Sequence, residues 1–67
     1  MKTGTVKWFH GTKGYGFIRP IDGSADVFVF YPNIEGDGHK MLSSGQSVQF
    51  ESALNSNGHH ATRVVPF

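Results

Sequence analysis

The chain has 67 residues, is 37% hydrophobic and 13% aromatic, contains no cysteine and carries a formal net charge of +1. That length supports a single domain over residues 1–67, near the lower size at which one core suffices, and the missing cysteines exclude disulfides and thiolate metal sites. No apolar run is long enough to span a membrane and the N-terminus lacks a secretory pattern, so a soluble, cytoplasmic protein is expected. The small net charge is not the basic excess of many duplex binders, so any nucleic-acid affinity has to come from local cations and stacking.

Thr5-Val6-Lys7-Trp8-Phe9 is rich in β-formers and reads as the first strand. A lone tryptophan in a small domain is commonly a core anchor, but Val6 and Phe9 are better sized for the interior, which favours Trp8 at the surface. His10-Gly11-Thr12 is a short turn leading into Lys13-Gly14-Tyr15-Gly16-Phe17-Ile18, the second arm of a hairpin. In an extended chain Lys13, Tyr15 and Phe17 share one face, and Gly14, Gly16 and Ile18 take the other. Glycine inside a strand marks tight curvature or close approach of another backbone. Taken alone, the aromatic face fits the core as well as it fits the surface.

Arg19 to Ser24 breaks the chain, with Pro20 lacking an amide donor and Asp22-Gly23 favouring a tight turn. The third strand, Asp26 to Tyr31, decides the orientation. Val27 and Val29 alternate with Phe28 and Phe30. Valine and isoleucine fill a small barrel well, whereas Tyr15, Phe17, Phe28 and Phe30 together are too bulky for so short a chain. With the aliphatic set inside, the four rings stand outside on neighbouring strands. Leaving them there forfeits roughly 1.5–3 kcal/mol per large side chain, so the patch implies a partner.

Pro32-Asn33-Ile34 is expected to form one helical turn with Ile34 against the core, and Glu35 to Gly45 a loop anchored by Leu42. Val48 and Phe50 alternate with Ser47, Gln49 and Glu51 in a fourth strand. Asn55 to Gly58 is a strong turn signal, and Ala61 to Val65 a fifth strand with Val64 in the core. No segment keeps a helical period. The pattern predicts an all-β, five-stranded antiparallel Greek-key barrel, a class that binds oligonucleotides on its second and third strands.

Lys13–Ile18 and Val27–Tyr31 look like the two ribonucleoprotein motifs. RNA-recognition-motif domains carry both, but that fold needs two helices and a longer chain. The cold-shock domain family fits better. The resemblance runs through Gly4–Phe9, Lys13–Ile18, Asp26–Val29, Gly36-Asp37-Gly38, Leu42, Gly45-Gln46 and Val48, in order along nearly the whole chain. It implies binding of single-stranded RNA and DNA and RNA-chaperone activity, as in the small bacterial cold-shock proteins. The binding positions it implies by motif are Lys7, Trp8, Lys13, Tyr15, Phe17 and Phe28. Phe30, Tyr31 and His39 stand where that family usually has histidine, phenylalanine and an aromatic residue, and are counted in the site. His10 stands where asparagine is common. His10, His60 and Arg63 are further candidates at the border of the aromatic face.

Other chemistry is poorly supported. His59 and His60 are adjacent, no convergent ligand set is evident, and no metal or cofactor is expected. The two histidines are placed on the turn before the last strand. No nucleophile–base pairing, phosphate-cradling loop or buried acid pair points to an enzyme. A monomer is expected, with exchange of strands between copies left open. The main rival is an SH3-like barrel binding proline-rich peptides. It explains exposed rings but not the lysines flanking them, which suit a ligand having both π-faces and phosphates.

Overall fold

Alternating β-branched residues, punctuated by turns at glycine, build β1 (Lys2–His10), β2 (Tyr15–Pro20), β3 (Val27–Phe30), β4 (Ser47–Asn55) and β5 (Gly58–Pro66). The computed structural model describes residues 1–36 and 41–66. The five strands close into a barrel in the order β1-β2-β3-β5-β4, with β4 returning to β1. This is the all-β architecture the strand pattern predicts. Strand pairing is antiparallel except where β3 meets β5, in parallel, at Phe28 and His60.

The interior is aliphatic. Val6, Ile18, Val29, Val48 and Val64 are fully buried, and Phe50 is the one ring that joins them among the described residues. Leu42 and Ile34 plug the barrel as expected, Ile34 following a 3-10 turn at Tyr31–Asn33 and donating its amide to the Tyr31 carbonyl at 3.1 Å. With Phe50 already inside, the barrel has no room for four further rings.

Register, rather than alternation, sets which side Trp8 faces. Val6 pairs with Ile18, but the next pair is Trp8 with Phe17, so Lys7 is an extra residue in β1. Strict alternation from buried Val6 would turn Trp8 inward; the bulge reverses the parity and turns it out. Phe9 then leans on the core. Gly16 permits the close approach of β1 and β2: a Cβ there would lie 2.2 Å from the Trp8 carbonyl oxygen and 2.8 Å from Phe9 Cα.

Three expectations are corrected. The second strand does not begin at Lys13. Residues 11–14 form a turn closed by the Gly14 amide on the His10 carbonyl at 2.7 Å, with Gly14 at φ +76°, so Lys13 does not share the strand parity of Tyr15 and Phe17. At its other end the strand continues through Arg19 to buried Pro20, a terminal position that tolerates the missing donor. His59 and His60 are not turn residues. The turn is short, with Asn57 donating its amide to Asn55 Oδ1 at 2.9 Å and Gly58 at φ +113°, so both histidines already lie in β5, opposite Leu54 and Ala53. A second register shift leaves Thr62 unpaired and brings Ala61 into the core with Val64.

Candidate nucleic-acid interface

The outward side chains of β1, β2 and β3 meet across the sheet, with Trp8 opposite Phe17, Phe17 opposite Phe28, and Tyr15 opposite Phe30. Cross-strand partners share a face, so the register assembles a platform. The Trp8 ring lies 5.4 Å from Phe17 and 5.6 Å from Tyr15, and Phe28 lies 5.6 Å from Phe17 and 5.9 Å from Tyr15. Trp8 is 38% exposed and Phe28 36% exposed, whereas Tyr15 and Phe17 are half-buried among these rings. Phe30 and Tyr31 add an edge-to-face pair at 5.2 Å, both exposed. Tyr31 is held by the β1–β2 turn: its amide donates to the Gly14 carbonyl at 2.8 Å, and a Cβ on Gly14 would sit 2.7 Å from the tyrosine ring.

Cations border the platform unevenly. Lys7 Nζ is 2.8 Å from Asp26 Oδ2, so its charge is shared with a carboxylate. Lys13 and Arg19 meet no carboxylate among the described residues. Arg63 is not brought to the rings. Its guanidinium grips Glu35 through Nε and Nη2 and lines a separate groove with Pro32 and Thr62. The hydrogen bond from Arg63, helped by its charge, lowers the Glu35 pKa below its ordinary value of 4.5.

Beyond Phe28 and Phe30 the sheet opens into a groove of 660 Å³, walled on its far side by the β4–β5 hairpin. Two amides are fixed there. Asn33 donates to the Ala61 carbonyl at 3.0 Å, and the Asn55 amide meets His60 Nδ1 at 3.1 Å. At the opposite end, His10 lies parallel to Tyr15, within 3° and 6.1 Å between centroids. Among the described residues, no three His, Asp or Glu side chains converge as a metal site. Nor is any helix there long and apolar enough to cross a membrane.

The family model described as the 'Cold-shock' DNA-binding domain matches residues 2–67. The chain belongs to the cold-shock domain family. It is 48% identical over 66 residues to the cold shock-like protein CspD of Escherichia coli (strain K12), covering 98% of this chain and 89% of that one. It is 53% identical over 64 residues to the probable cold shock protein A of Mycolicibacterium smegmatis, covering 96% of each. Among solved structures the drosophila Unr CSD456 chain superposes with a TM-score of 0.78 at 18% identity, over 98% of this chain and 26% of that one, a likeness of fold. Cold-shock domains bind nucleic acid and are not enzymes, and the peptide-binding reading is not favoured.

Within this cold-shock domain the structure groups Trp8, Tyr15, Phe17 and Phe28 in one patch, with Phe30 and Tyr31 beside it. Lys7 lies at the bulge next to Trp8, and Lys13 in the adjoining turn. His10 and His60 occupy its two ends, and His39 lies outside the described residues. Arg19 joins this face with no motif in the sequence to mark it. It follows Phe17 by two positions and so shares the face of Tyr15 and Phe17, a parity signal masked by taking Pro20 as a break. The Asp26 partner of Lys7 lies in a distant segment and carries no local pattern, and the Asn55–His60 pair spans the β4–β5 hairpin and follows only once the register of that turn is set.

Proposed function

We propose that this protein binds single-stranded RNA and DNA by stacking successive bases on Trp8, Tyr15, Phe17, Phe28, Phe30 and Tyr31, with Lys7, Lys13 and Arg19 beside the phosphates. The observation that carries this is the contiguous outer ring platform, which the core does not need. Every base has a π-face, so stacking tolerates sequence and contributes about 1–3 kcal/mol per base. Duplex bases are already stacked and paired and offer no face to these rings.

RNA chaperoning follows as a population shift. A protein that holds the open strand more tightly than the hairpin favours opening by that difference in affinity, without ATP. Trp8 is a built-in reporter because its ring touches both Tyr15 and Phe17. Oligothymidine is expected to quench its fluorescence, and duplex DNA or a proline-rich peptide to do so far less. Equal affinity for a weak RNA hairpin and its unpaired strand would leave the chaperone mechanism without a driving force.

A further inference from the structure

We infer that His10 supplies an additional nucleotide subsite, extending the platform one base past Tyr15 at the β1–β2 turn; the inference rests on the stacking reading above. His10 ends β1 opposite Tyr15, is exposed, and holds its ring within 3° of the tyrosine plane. A strand running over Tyr15 therefore meets a second flat π-face in nearly the same orientation.

The ring is fixed by more than its neighbour. The Lys13 backbone amide donates to His10 Nδ1 at 3.2 Å. An amide N–H only donates, so Nδ1 is the acceptor and the ring proton of the neutral imidazole sits on Nε2. This hydrogen bond ties the ring to its own turn. It also places the subsite beside Lys13, whose ammonium meets no carboxylate among the described residues. The arrangement has the two parts a nucleotide needs, a preset aromatic face for the base and an open cation for the phosphate. The ligand is thus one further nucleotide of the same single strand.

Two substitutions separate the ring from the turn. His10→Asn keeps a side-chain oxygen able to accept from the Lys13 amide and removes the aromatic face. His10→Phe keeps a face and removes the acceptor. The full chain is titrated with oligothymidines of increasing length, read by Trp8 fluorescence. In the unchanged protein affinity is expected to rise until the last subsite is filled. With His10→Asn the rise should stop one nucleotide sooner, forfeiting at least about fivefold in affinity, the lower end of what one stacked base contributes. His10→Phe should keep that last increment. An unchanged length plateau in His10→Asn, or its loss in both variants, overturns the subsite while leaving the stacking reading intact. Absence of quenching at every length in the unchanged protein would overturn both.

Discussion

Phe17 and Ile18 are neighbours in β2 that face opposite sides of the barrel wall, the first half-buried among outer rings and the second fully buried. Ile18→Ala leaves a cavity in a small core and is expected to cost about 2–5 kcal/mol of stability, read as a fall in the urea midpoint. Phe17→Ala removes a platform ring and should instead weaken oligothymidine binding by about 1–3 kcal/mol, with a much smaller change in midpoint. A midpoint loss in Phe17→Ala as large as in Ile18→Ala would show that Phe17 serves the core. The orientation of this pair was legible because four rings exceed the volume of so small a barrel, and volume can be counted from residue types. The orientation of Trp8 rested on size alone. What turns it outward is the extra residue at Lys7, and a bulge of this kind leaves no residue signature.

At the scale of strands, the β1–β2 contact depends on Gly16. A methyl group there would meet a backbone oxygen at 2.2 Å, which no side-chain rotation relieves, so the strands must part. Gly16→Ala is expected to cost at least the ~1–3 kcal/mol typical of overpacking. Because parting the strands separates Trp8 from Phe17, the variant should lose quenching as well as stability; a stable variant with normal binding would contradict this geometry. The segment after the 3-10 turn is held differently, by the Glu35 amide on the Val64 carbonyl at 2.7 Å and by the Glu35–Arg63 ion pair. Arg63 holds the Glu35 pKa below 4.5 in the fold, so the pair's contribution is present above that value and is lost as pH falls through the lower folded value. Both groups are exposed, so the effect is small. The urea midpoint should fall on acidification below about pH 4.5, and less in Arg63→Met; equal falls would remove the pair from the stability of the fold. Strand existence was legible from alternation, whereas strand ends were not. The short Ser56-Asn57 turn, held by the Asn57 backbone amide on Asn55 Oδ1, draws His59 and His60 into β5, and the Lys13-Gly14 turn, closed by the Gly14 amide on the His10 carbonyl, shortens β2; neither hydrogen bond shows in the alternation of side chains.

Taken as a whole, the molecule has almost no net charge to attract a polyanion, and part of its positive charge is already engaged by Asp22, Asp26 and Glu35. Among the described residues electrostatic binding therefore falls to few groups: Lys13 and Arg19, with Lys7 shared. Two or three phosphate contacts at about −0.7 each give a slope of log K against log salt near −1.5 to −2. A slope much steeper than this would mean that the ion pairs open on binding and release their cations to the strand. Histidines set how the slope responds to acid. His59 and His60 line the groove beyond Phe28, where Asp26 is the one carboxylate among the described lining residues and is paired with Lys7. Between pH 7.5 and 5.5 imidazoles take up protons, and ligand that favours the protonated form in turn promotes that uptake. The slope is expected to steepen by about 0.7 for each histidine that reaches a phosphate. Oligothymidine titrations across salt at both pH values measure this directly, and a chain carrying His59→Gln and His60→Gln should lose the part of the steepening that those two residues supply. Identical slopes at the two pH values in the unchanged protein would place both histidines out of reach of the strand, leaving stacking and the lysine and arginine charges to account for binding.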